Sequence, residues 1–152
     1  MAKIVWAVFC QSAIIDRTTN NLSIINQFDE LHPTPPPTLQ QKKKSVAVAA
    51  FQCALACVWE REKPAISETV PVRIRLVGPD KRALPIAEAF VDLRKSRRSR
   101  LITNLPGLPI IGEGTYTFIY EVRFGTRWKR VTDVSISVSY AKVVRPEKPT
   151  QH

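Results

Sequence analysis

Thr115-Tyr116-Thr117-Phe118-Ile119-Tyr120-Glu121-Val122-Arg123-Phe124 carries a large apolar or aromatic side chain at every second position. Side chains of an extended strand point to opposite faces in turn, so Tyr116, Phe118, Tyr120, Val122 and Phe124 make one core face. Thr115, Thr117, Ile119, Glu121 and Arg123 make the other, mostly wet, face. Thr132 to Tyr140 repeats the pattern, with Val134, Ile136, Val138 and Tyr140 alternating with Ser135, Ser137 and Ser139. Gly125-Thr126 offers a turn between the two runs. The expectation is an antiparallel hairpin whose connection holds the basic, Trp-bearing stretch Arg127-Trp128-Lys129-Arg130.

The same signals recur upstream. Val70, Val72, Ile74 and Leu76 alternate with Arg73 and Arg75, Gly78-Pro79-Asp80-Lys81 reads as a turn, and Leu84 to Leu93 as the returning arm. Lys3 to Ile15 and Leu22 to Phe28, separated by Asp16-Arg17-Thr18-Thr19-Asn20-Asn21, read as a third hairpin. In Val46 to Trp59 the alanines suit a helix. Its large residues Phe51, Cys53, Leu55, Cys57 and Trp59 nevertheless fall at period two, and the reading favours a long strand. His32 to Ser45, with Pro33, Pro35, Pro36, Pro37 and Lys42-Lys43-Lys44, reads as an extended, exposed link.

Composition bounds the rest. A chain of 152 residues with 44% apolar content can bury one core, and no run approaches the roughly 20 apolar residues of a spanning helix. Twelve prolines and five glycines, with β-branched residues bunched between them, argue for many short strands. The expected fold is all-β: an antiparallel β-sandwich, immunoglobulin-like or C2-like, of about seven to eight strands. One domain over residues 1–141 and a flexible C-terminal tail over 142–152 are expected.

Twenty-three Lys and Arg stand against 13 Asp and Glu, a net charge of +10. Half of that excess sits in one seven-residue stretch, as Arg94, Lys95, Arg97, Arg98 and Arg100. With no acid between Asp92 and Glu113, the stretch has no local counter-charge, so it reads as a basic loop for an anionic partner. Arg127, Trp128, Lys129 and Arg130 add a second cluster, in which Trp128 could stack on a base or an aromatic partner. The simplest alternative is that these cations keep a sandwich soluble or blunt an edge strand. On the loop reading, replacing the five cations of the first cluster would change partner choice and leave stability nearly untouched.

Other chemistry is poorly equipped. His32 and His152 are the only histidines, so a nucleophile-base unit would have to be built on His32. Gly112-Glu113-Gly114 lacks the third glycine of a dinucleotide loop, since Thr117 stands in its place. The acids are scattered, and Asp29-Glu30 and Glu60-Arg61-Glu62 read as solvated strand ends; no metal and no cofactor are expected. Cys10, Cys53 and Cys57 are an odd number without zinc-finger spacing, which suits free thiols in a reduced, cytoplasmic setting. On a strand Cys53 and Cys57 share a face yet lie roughly 13 Å apart, too far to bond. Lys3 followed by Ile4 to Cys10 imitates a signal peptide, but with a single basic residue and bulky Phe9 before Cys10 it reads as the first strand.

The order of these pieces resembles a family of small, functionally uncharacterised bacterial β-sandwich domains. The resemblance runs from Asp16 ahead of Leu22-Ser23-Ile24-Ile25, through the proline-rich link and Val77-Gly78-Pro79-Asp80. It continues to Leu105-Pro106-Gly107-Leu108-Pro109 and Gly112 to Phe118. It implies a sandwich of bacterial or phage origin and supplies no functional residues. The functional expectation is a non-catalytic binding or adaptor module for a protein or other acidic macromolecule. The alternatives are a nucleic-acid binder using both basic clusters and, far behind, a hydrolase on His32.

Overall fold

The computed structural model describes residues 2–35, 47–49 and 51–142, and no helix occurs among them. Eleven strands follow in order: β1 (Ala2–Ile15), β2 (Leu22–Gln27), β3 (Glu30–Leu31), β4 (Ala47–Ala49), β5 (Cys53–Arg61), β6 (Thr69–Val77), β7 (Ala83–Asp92), β8 (Arg98–Leu105), β9 (Leu108–Ile110), β10 (Gly114–Phe124) and β11 (Arg127–Val138). Eight run for six residues or more; β3, β4 and β9 are short pieces. Among the described residues no helix is long and apolar enough to cross a membrane.

The strands form a four-stranded sheet, β2-β1-β5-β8, and a five-stranded sheet, β3-β11-β10-β6-β7, with β4 and β9 as a separate ribbon. The two large sheets make the expected all-β sandwich. All three expected hairpins are present, as β1–β2, β6–β7 and β10–β11. Among the described residues only β3, beside β11, pairs in parallel. The stretch 46–59 is extended where it is described, but it is divided: β4 pairs with β9, and β5 pairs with β1 and β8. Pro36, Pro37, Lys42, Lys43 and Lys44 of the expected link, and the expected tail from residue 143 onward, lie outside the described residues.

The core is what the alternation promised. Tyr116, Phe118, Tyr120 and Val122 of β10 and Val72, Ile74 and Leu76 of β6 are buried against Phe9, Leu55, Cys57 and Trp59 of the opposite sheet. The Phe9 ring lies 5.0 Å from that of Phe118 and 5.4 Å from that of Phe28, which stitches the two sheets together. At the expected core position 124 the structure differs. The register shifts between Tyr120 and Glu121, and the hairpin runs to its tip, where Phe124 pairs with Arg127 and stays 44% exposed. The extra residue Val131 in β11 is a β-bulge, which bends the ladder and increases its local twist.

The same tip corrects the expected connection. Gly125, at φ 54°, and Thr126 alone make the turn, so Arg127–Arg130 are strand residues at the start of β11 and not a loop. A left-handed glycine allows a reversal this tight without a Cβ penalty.

Candidate functional site: the basic end of the sandwich

Strand directions gather the charge. Ala2 at the start of β1 pairs with Arg61 at the end of β5, whose backbone N–H donates to the Arg97 carbonyl at 2.9 Å. Thr69 at the start of β6 pairs with Asp92 at the end of β7, and the Ser67 hydroxyl donates to the Arg94 carbonyl at 3.1 Å. A small cleft lined by Ala2, Thr69, Val70, Val122 and Phe124 joins these termini to the tip of the β10–β11 hairpin. The segments 94–100 and 127–130, 27 residues apart in sequence, therefore sit at the same end of the sandwich.

Within the first segment the cations differ in their engagements. The Arg94 guanidinium donates to both carboxylate oxygens of Asp92, at 3.0 and 2.8 Å, and the Arg94 backbone N–H donates at 2.9 Å. Those hydrogen bonds hold the Asp92 carboxyl well below the usual range. Arg97 and Arg98 each place Nε 3.1 Å from Glu60 Oε1, and Lys3 Nζ lies 3.5 Å from Glu60 Oε2. Glu60 is only 5% exposed. Its burial raises the carboxyl pKa, and the Arg98 hydrogen bond with the charges of Arg97 and Arg98 outweighs that, leaving it net lowered.

Two expectations are corrected here. Glu60 is not a solvated strand end but a buried acid at the end of β5. The Arg94–Arg100 stretch does not lack counter-charge, because Glu60 reaches it across the β5–β8 ladder through the Glu60–Arg98 pair. Nor is it one loop, since Arg98 and Arg100 belong to β8, the edge strand of the four-stranded sheet. Lys95 and Arg100 make no salt bridge among the described residues, although the charge of Lys95 also helps to lower the Asp92 carboxyl.

The second segment is organised by β6 and β10. Glu121, 5% exposed, accepts from Arg73 Nε at 2.5 Å and from Arg75 Nε and Nη2 at 2.8 Å. Burial again pushes this carboxyl up, and the two guanidinium hydrogen bonds bring it net below the ordinary value. Arg73 also stacks over the Trp128 ring at 4.4 Å, so one face of the indole is already covered. Arg130 pairs with Asp133, while Arg127 and Lys129 have no acidic partner among the described residues. Phe124, Arg127, Trp128, Lys129 and Arg130 line a shallow depression at the tip. Lys3, Glu60, Arg73, Arg75 and Glu121 are the site residues that sequence reasoning missed. The alternation did put Arg73 and Arg75 on the polar side of one run and Glu121 on the wet side of another, but their pairing depended on the unknown β6–β10 register.

At the opposite end His32 Nδ1 lies 3.0 Å from Ser139 Oγ, with Glu30 Oε2 3.5 Å from its Nε2. The order Ser-His-Glu resembles a nucleophile-base relay. Both His32 and Glu30 are more than half exposed, however, and the arrangement coincides with backbone bonds from Ser137, Ser139 and Ala141 to Asp29, Leu31 and Pro33. It ties the chain after β11 to β3. Cys10, Cys53 and Cys57 are free and buried, as expected. Burial pushes the Cys53 thiol up to about 11 and the Cys57 thiol up to about 12.

No family model matches the chain, and no curated protein matches it. Among solved structures it is similar to a glycosyl hydrolase family 2 member from Bacteroides cellulosilyticus, with 15% identity and a TM-score of 0.45 over 60% of this chain and 14% of that one. A β-glucosidase from Listeria innocua gives 12% identity and a TM-score of 0.45 over 64% of this chain and 16% of that one. The PmoD soluble domain from a Methylocystis species gives 11% identity and a TM-score of 0.34 over 91% of this chain and 98% of that one. The chain thus spans only about a seventh of the length of either glycosidase.

Proposed function

We propose that this protein is a non-catalytic binding or adaptor module that presents the basic end of its sandwich to an acidic macromolecule, an acidic protein first of all. The observation that carries the reading is the convergence of two separate basic segments on one end, with Lys95, Arg100, Arg127 and Lys129 in no salt bridge among the described residues. Cations that serve only to balance the fold would be matched, as Arg73 and Arg75 are by Glu121. Cations outside any salt bridge, on β8, on β11 and in the connection between β7 and β8, are available to an incoming carboxylate or phosphate at no cost in existing ion pairs. Buried, high-pKa thiols support a reducing, cytoplasmic setting.

The test is retention of polyglutamate by the wild type and by the quadruple variant Lys95→Gln, Arg100→Gln, Arg127→Gln, Lys129→Gln. The expected result is at least tenfold weaker binding with an unchanged melting temperature. Equal binding by the two proteins would remove the reading. The nucleic-acid alternative draws on Trp128 in the basic depression beside exposed Phe124. On that alternative, duplex DNA binding by the same variant would lose about 3 to 4 from the log–log salt slope, at about 0.9 per phosphate.

A further inference from the structure

We infer that β8 is a docking edge, at which an extended segment of the acidic partner adds as a fifth strand to the four-stranded sheet. This rests on the proposed acidic partner and specifies how it binds. A sheet edge exposes a row of unpaired backbone N–H and C=O groups, and proteins usually blunt such rows with bulges, prolines or short strands. The other edges here are treated in that way. β11 is bulged at Val131 and paired with β3 at its far end, β7 carries Pro85 next to a register shift, and β2 runs only from Leu22 to Gln27. β8 has no bulge, no proline and eight residues; what guards it is the charge of Arg98 and Arg100, which repels a basic strand and not an acidic one. It pairs with β5 in unbroken register from Glu60↔Arg98 to Cys53↔Leu105, and no strand pairs with its other side among the described residues.

The register also states what the added strand should carry. Residues opposite one another in a ladder share a face. Arg98, Arg100, Ile102 and Asn104 therefore share the face of Glu60, Val58, Ala56 and Ala54, which turns away from the sandwich core although those β5 residues are themselves buried, while Leu101 and Leu105 pack against the core. Glu60 is shared by Arg97, Arg98 and Lys3, so positive charge remains beyond what it neutralises, and Arg100 adds a cation that is in no salt bridge among the described residues. A segment laid along β8 would set carboxylates beside Arg98 and Arg100 at alternate positions. The intervening apolar side chains would extend the core next to Leu101 and Leu105. The occupant is thus an extended peptide that alternates acidic with apolar residues. Nucleic acid cannot make a backbone ladder with this edge, and a second copy offers no carboxylate on its own β8 to meet Arg98 and Arg100.

The experiment uses the full chain and three blocked peptides of about ten residues. One alternates Glu with Val, one has the same composition in two blocks, and one is the alternating peptide N-methylated at every second residue so that one edge loses its donors. Alternating peptide bound at least about tenfold tighter than the block peptide, with slowed amide exchange confined to Arg98–Leu105 and loss of binding on N-methylation of one edge, is the expected result. Equal affinity for alternating and block peptides without β8 protection would overturn strand addition and leave the basic-end reading standing. Tighter binding of a single-stranded oligonucleotide than of any peptide would overturn it too. So would a dimer in which β8 amides are already protected. Failure of every polyanion to bind at low salt would remove the basic-end reading itself.

Discussion

Tyr120 is buried to 1% exposure, and its hydroxyl has no hydrogen-bond partner among the described residues. A buried donor left unmade costs about 1–3 kcal/mol in lost hydration, so Tyr120→Phe should stabilise the protein by about 1 kcal/mol by chemical denaturation. A loss of stability would show that the hydroxyl has a partner after all. Phe118, fully buried and in contact with Phe9, should behave oppositely, with Phe118→Ala costing about 3–5 kcal/mol. The same alternation that marked Phe118 as core in the sequence also marked Phe124, and there it misled. Periodicity says which face a residue takes but not how far the opposing sheet extends beneath it. The thiols offer a third check at this scale. With Cys53 raised to about 11 and Cys57 to about 12, almost none of either is thiolate at pH 8. Alkylation should therefore be slow in the native state and rapid in denaturant; fast native labelling of Cys57 would contradict its burial.

At the scale of elements, two buried glutamates each bind several cations across a ladder. Glu60 ties β5 to the start of β8, and Glu121 ties β10 to β6. Such a unit is cooperative. Arg73→Gln with Arg75→Gln should cost about 1–3 kcal/mol in the wild-type background and much less when Glu121→Gln is also present. Additive losses would mean that the three side chains act independently. Both carboxyls are net lowered in the fold, so their stabilisation is fully present above the unfolded carboxyl pKa, near 4.3, and is lost as pH falls through the lower folded value. Glu121→Gln should accordingly flatten the acid limb of the stability profile. The strands themselves were legible because alternation is local: β6, the β10–β11 hairpin and the turn at Gly78–Lys81 could be read directly. The counter-ions were not, since Arg75 and Glu121 are 46 residues apart and meet only through the β6–β10 register. The expectation that replacing the 94–100 cations leaves stability nearly untouched is revised for that reason. Arg97 and Arg98 neutralise a buried acid, and their removal should destabilise the sandwich, whereas removal of Lys95 and Arg100 should not.

For the whole molecule, what matters is that charge is segregated. The described Lys and Arg of 94–100 and 127–130 share an end with Lys3, while the opposite end carries Asp16, Asp29, Glu30, Asp80 and Glu113 among fewer cations. Such a molecule orients in the field of an acidic partner before contact, and ionic strength governs how strongly it does so. Composition alone could report the excess of +10 but not its placement, because convergence is a property of strand direction. The most direct measurement of the central claim is mapping of backbone amide shifts during titration with short polyglutamate at low salt. The account predicts perturbations concentrated at Lys3, 94–100 and 127–130 that fade as salt is raised. Perturbations centred on the β1–β2 turn at Asp16–Asn21 and the segment around His32, or none at any polyglutamate concentration, would contradict it.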